Sequence, residues 1–167
     1  GRFMGFNRFM GRPTPDMKKL APYIVKDWEY NDTCKEFTLY LREGVKWSDG
    51  HPFNAEDYMY WWKHVANNKD LNPVSPENWS TPILEVEKID NFTVVFHLGK
   101  SSPFFHRGTT IKMAGRTTPK HYMKQFHPAF VDKEKLMKKA EKAGYENWFD
   151  FYEYQNTTGH PERGIRP

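Results

Sequence analysis

Between residues 35 and 62 the hydrophobic period of the chain changes from that of a strand to that of a helix. Residues 36–42 alternate, with Phe37, Leu39 and Leu41 on one side and Glu36, Thr38, Tyr40 and Arg42 on the other. A period of two, rich in aromatic and β-favouring types, predicts a half-buried strand. Gly44 and then Ser48-Asp49-Gly50 supply turns. Asn54 stands where a helix N-cap belongs, and Glu56 and Asp57 follow in the first turn, where acidic groups oppose the positive end of the helix dipole. Beyond them Tyr58, Trp61, Trp62 and Val65 recur at three- and four-residue spacing, which predicts the core-facing stripe of that helix.

The same reading extends along the chain. Residues 23–31 predict a strand that turns at Asn31-Asp32 into the 36–42 strand. Residues 83–89 and 91–98 predict a second hairpin, with Leu84, Val86, Phe92, Val94, Phe96 and Leu98 facing inward and Asp90-Asn91 as its turn. Between the hairpins runs a loop, 67–82, that contains Trp79 and is bounded by prolines. Short helices are expected at 101–106 and at 119–126, the latter opened by Pro119 in its first turn. Asp132 can cap a helix that Gly144 ends, with Leu136, Ala140 and Ala143 as its stripe and Met137 beside it. A Trp- and Phe-rich helix follows at 146–154. Then comes an irregular polar tail, 155–167, expected to be poorly ordered without a partner. The sum is an α+β fold: antiparallel hairpins in a sheet packed by helices, with a helical C-terminal arm.

Composition narrows the function classes. A chain of 167 residues can bury a real core, and its aromatic fraction of 17% predicts a core of large rings. No run of 18 apolar residues is present, so no membrane-spanning helix is expected. Residues 1–16, with Phe3, Phe6 and Phe9 among glycines and arginines, lack the apolar stretch of a signal peptide, and two readings compete for the rings: no special role, or docking on a further part of the protein. A formal charge of +4 invites a nucleic-acid partner, but the densest basic segment, 132–145, interleaves Glu134 and Glu141 with its lysines and reads as a solvated helix. No nucleic-acid partner is expected. The lone Cys34 cannot form an internal disulfide and reads as a turn or strand-edge thiol.

Catalytic patterns are missing. There is no Gly-x-Ser-x-Gly elbow, phosphate-cradling glycine loop or His-Glu-x-x-His helix. No two of the seven histidines pair at i,i+2 or i,i+4. Glu56 and Asp57 are adjacent, so on a helix they point about 100° apart. The expectation is a protein that is not an enzyme and carries no metal or cofactor. Flat rings are what sugar- and peptide-binding clefts use. Trp79, in a loop that does not require burial, is the first candidate for ligand contact, and Trp148, which with Tyr152 could equally pack its own helix, is the second.

The segment LYLREGVKWSDGHPFNAEDYMYWW resembles the signature of the family 5 bacterial extracellular solute-binding proteins, roughly F-x-L-R-x-G-V-K-F/W-x-D-G-x-P-F-x-A-x-D-V. Departures are Tyr58, where the family usually has Val, and Cys34-Lys35, where Gly or Asp is commoner in the hairpin turn. The likeness continues in LAPYIVKDWEYND around Trp28, in VEKIDNFTVVFHL and in TTPKHYMKQF. The resemblance implies the small domain of a periplasmic-binding-protein-like (type II) fold. It divides the chain into an N-terminal arm of an incomplete lobe (1–19), the small α+β domain (20–130) and a helical arm with its tail (131–167).

The implied function is capture of peptides or oligosaccharides for an ABC importer. The expected partners are that ligand, the remaining lobes of a longer parent and the importer's membrane subunits. The implied location is periplasmic or otherwise extracytoplasmic, and many members carry a lipoprotein anchor. Asn31-Asp32-Thr33 is no lipobox, so Cys34 would not be its site. A motif resembling P-V-G-T-G-P-Y is absent before Pro167, and the chain is expected to span roughly a third of such a binder. The alternative is a self-contained carbohydrate-binding module using Trp79, Trp148 and Tyr152.

Overall fold

A computed structural model of the protein describes residues 11–13, 20–22, 25–106 and 117–156. The expectations for Phe3, Phe6 and Phe9, for Tyr23 and for residues 157–167 of the tail lie outside them. Strands β1 (Gly11–Pro13) and β2 (Leu20–Pro22) form a small antiparallel pair. The main sheet is four-stranded and antiparallel, in the order β3 (Val25–Tyr30), β4 (Glu36–Leu41), β6 (Thr93–Leu98), β5 (Ile83–Lys88).

Registers explain which side chains are buried. Phe37 lies opposite Phe96 and Leu39 opposite Val94, and all four are fully buried. The second hairpin departs from simple alternation. Ile83 pairs with Leu98 and Glu85 with His97, so Leu84 is the extra residue of a bulge. Ile83 is therefore 1% exposed and Leu84 58% exposed, the reverse of the inward Leu84 that alternation predicts. In the first hairpin Cys34 closes the turn at φ +51, the left-handed region, and is half-buried. Gly or Asp would occupy that conformation at less cost.

Helix α1 (Ala55–Tyr60) begins as its sequence predicts. Asn54 accepts from the Glu56 amide, and the Asp57 carboxylate accepts from the Asn54 amide, a complete capping box. The helix continues as a π-helical segment, Trp61–Ala66, marked by the Asn67 amide donating to the Trp62 carbonyl. Tyr58 and Trp61 face the sheet and join the first core with Phe37, Phe53 and Phe96.

Tyr60 stands about 200° around the helix from Tyr58. It enters a second core with Met123, Leu136, Ala140, Trp148, Phe151 and Tyr152. That core is built by α2 (Lys120–Met123), α3 (Lys133–Lys142) and α4 (Trp148–Asn156). It joins residues on both sides of position 131. Val65 packs against both cores.

Four boundaries differ from expectation. The last helix, α4, runs from Trp148 to Asn156 rather than over 146–154, so Gln155 and Asn156, expected in the irregular tail, are helical and Gln155 is buried. Pro119 is the N-cap of α2 rather than a residue of its first turn. Helical backbone in 101–106 is confined to Phe105 and His106. In α3 the stripe stops at Ala140, and Ala143, the C-cap, is exposed, because the chain turns away through Gly144 at φ +85.

Candidate functional site

The signature turn, the start of α1 and the start of α2 meet at one polar junction. Gly50 at φ +86 lets its amide donate to the Trp47 carbonyl at 2.9 Å, while the Trp47 amide donates to the His51 carbonyl at 2.8 Å. This tight turn lays the Trp47 indole against α1. Its Nε1 donates to Asp57 Oδ2 at 3.0 Å, the Lys120 amide donates to Asp57 Oδ1 at 3.0 Å, and the Asn54 amide donates to Oδ2 at 3.2 Å. Asp57 is 3% exposed. Burial pushes its carboxyl above the ordinary range, against the pull of these N–H donors.

Glu56 points the other way, into a cationic pair. Lys88 Nζ lies 2.5 Å from its Oε1 and Lys120 Nζ 2.7 Å from its Oε2. Hydrogen bonds from Lys120 and Lys88 hold the Glu56 carboxyl down to about 2. The junction is completed by His121, which sits 2.6 Å from Asp49 and stacks on His51 at 3.8 Å and 3°. Each acidic group is thus engaged with a donor or cation that fixes one element on another. The arrangement can hold three segments together. Among the described residues no group of three or more His, Cys, Asp or Glu side chains could hold a metal ion.

The tryptophans expected at a ligand site occupy different environments. Trp79 ends the short 3-10 turn Pro76–Asn78, half-buried, with its Nε1 donating to the Val74 carbonyl at 3.0 Å. Its ring lies 6.3 Å from Trp61, which in turn neighbours Trp62 at 6.1 Å, and Trp61 itself is buried in the first core. Trp148 is 5% exposed inside the second core, 5.2 Å from the His127 ring and 6.1 Å from Tyr152. The structure does not bring Trp79 and Trp148 together in one hydrophobic cluster.

Two features escaped the sequence. His127 is 3% exposed, its Nδ1 accepting from the Ala129 amide at 3.1 Å and its Nε2 donating to the His64 carbonyl at 3.0 Å. Burial lowers its pKa and so favours the neutral ring that this bonding needs. A groove of about 630 Å³ also opens where the sheet ends, lined by Lys26, Tyr40, Arg42, Glu43, Asp90 and Phe92 among others. Each brings together residues tens of positions apart, beyond the reach of local periodicity.

Both the sequence and the fold have counterparts among known proteins. A sequence profile of the bacterial extracellular solute-binding proteins, family 5 (middle region), matches residues 19–159. The chain belongs to that family. It is 33% identical over 121 residues to the periplasmic alpha-galactoside-binding protein of Rhizobium meliloti (strain 1021), covering 70% of this chain and 17% of the relative. It is 28% identical over 102 residues to the periplasmic murein peptide-binding protein MppA of Escherichia coli (strain K12), covering 52% and 19%.

Among solved structures, an oligopeptide-binding protein OppA superposes with a TM-score of 0.77 at 31% identity, covering 89% of this chain and 23% of that one. The binding protein MelB of Agrobacterium fabrum C58, solved with stachyose, gives a TM-score of 0.59 at 26% identity, covering 74% and 20%. The α+β fold is therefore that of a type II periplasmic binding protein's smaller part. This chain spans 17% to 23% of these relatives, less than the third expected. The family is one of binding proteins, and both curated relatives are named as periplasmic.

Proposed function

We propose that this chain forms part of an extracytoplasmic solute-binding protein that captures peptides or oligosaccharides and delivers them to an ABC importer. The observation that carries this reading is the family match across residues 19–159 together with a superposition on an oligopeptide-binding protein over 89% of the chain. Its mechanism is binding by closure of lobes around the solute, without a chemical step. The division into 1–19, 20–130 and 131–167 belongs to the same proposal, with the first segment completing another lobe. A lipid anchor in the parent protein also belongs to it.

Relatives named for an alpha-galactoside and for murein peptides leave both solute classes in play. Trp79 is the ring we place against the solute, because it is only half-buried, in a loop, whereas its neighbour Trp61 is enclosed in the core. Trp148 could reach a solute only if α4 left the second core. Equilibrium titration with defined oligopeptides and α-galactosides tests the reading, using this chain alone and a polypeptide that joins it to the remaining lobes. The joined protein should bind one class saturably, with Trp79→Ala weakening it, and the chain alone should bind weakly or not at all. Tight saccharide binding by the chain alone would favour a carbohydrate-binding module instead.

A further inference from the structure

Helix α3 carries a charge pattern that the linear order of its residues conceals. In sequence, Glu134 and Glu141 alternate with lysines and suggest a mixed surface. At about 100° of rotation per residue, Lys135, Lys138, Lys139 and Lys142 fall within one stripe about 100° wide, while both glutamates sit together on a flank. The buried residues Leu136 and Ala140 lie on the side of the helix away from that stripe. All four lysines are exposed, and among the described residues none forms an ion pair.

The sheet carries most of its carboxylates on one face. Strand registers place Asp27, Glu29, Glu36, Glu85 and Glu87 on the outer face of the sheet with Thr38, Tyr40, Thr93, Val95 and His97, while Lys26 and Arg42 line the groove at the sheet's end beside Tyr40 and Thr93. The chain as a whole is only modestly basic, at +4, so the stripe concentrates on one helix a charge that the rest of the molecule largely balances.

We propose that the lysine stripe of α3 is a docking surface for an anionic phospholipid bilayer. The stripe is convex and about 10 Å long, close to the Debye length at physiological salt, so its charges act on a surface together. It consists of lysine alone. Ammonium groups are point charges suited to a broad field of anions, whereas the planar fork of arginine would suit a stereospecific acid or nucleic-acid contact.

Co-sedimentation of the 167-residue chain with vesicles tests this, using phosphatidylcholine alone and phosphatidylcholine mixed with phosphatidylglycerol. Binding should require phosphatidylglycerol and disappear at high salt. The double variant Lys138→Gln/Lys142→Gln should lower the partition about thirtyfold, at roughly fivefold per lysine. Glu85→Gln/Glu87→Gln should leave it unchanged or raise it. All four positions are exposed, and circular dichroism should show each variant folded as the parent is. Equal binding to phosphatidylcholine alone, or binding that ignores the lysine variant, would overturn the proposal. So would salt-dependent self-association in sedimentation velocity that both variants weaken, because a second copy would then be the occupant. Solute titration is a separate readout, so failure here leaves the proposed transport role standing.

Discussion

The indole Nε1 of Trp47 donates to Asp57 Oδ2 at 3.0 Å, tying the signature turn to the first turn of α1. Because the same carboxylate also accepts from the Asn54 and Lys120 amides, it is the common acceptor of three elements. Asp57→Asn should cost about 3 kcal/mol, since an amide offers one acceptor oxygen and sets its own donors against buried N–H groups. Trp47→Phe should cost less, because two of the bonds survive. Urea midpoints would decide, and equal losses would show that the carboxylate serves the indole alone.

Glu56 sets an acid limit. Its folded carboxyl titrates at about 2, against an ordinary 4.5, because Lys120 and Lys88 hold it charged. The stabilisation is complete above about pH 4.5 and is lost as pH falls toward 2. With the groups partly exposed, its size should be about 1 kcal/mol. Asp57 shifts upward and so works in the opposite sense. Chemical denaturation of Glu56→Gln from pH 5 to pH 2 should therefore show a shallower loss than the parent; parallel curves would refute the assignment.

His127 should impose a second, milder dependence. Its neutral ring is favoured in the fold, so the unfolded chain takes up a proton first as pH drops below about 6.5. Stability should be level above that value and decline beneath it until the folded ring titrates. Protonation would also place a proton where Nδ1 now accepts from Ala129. Thermal melts of His127→Gln between pH 7.5 and 5 should show lower stability at the upper end and a flatter slope. An unchanged slope would assign the dependence to another group.

The bulge in β5 gives a test of packing. Ile83→Ala should cost about 2–4 kcal/mol, as for a buried aliphatic truncation, while Leu84→Ala should stay within about 0.5 kcal/mol. The opposite ranking would restore simple alternation and remove the bulge.

Much of this could be read from residue order because it depends on neighbours in the chain. The alternation of Phe37, Leu39 and Leu41, the Asn54 cap and the Asp132 and Gly144 stops are each decided within a few residues. Leu84 misled because a bulge adds one residue without altering the local pattern. Tyr60 was overlooked because a second apolar face on one helix looks like noise until a partner is known, and its partners begin at Met123. Asp57 was read correctly as a helix-start residue, yet its burial depends on Trp47 and Lys120, which belong to other segments.

The helix that runs through Tyr58 and Tyr60 works as a shared axle. One turn of backbone supplies a ring to each core, and Val65 touches both. Sliding the sheet past α2–α4 would therefore have to unseat Tyr58 or Tyr60 from its core. In the proposed binder, a closure that keeps both rings seated would carry the sheet and α2–α4 together.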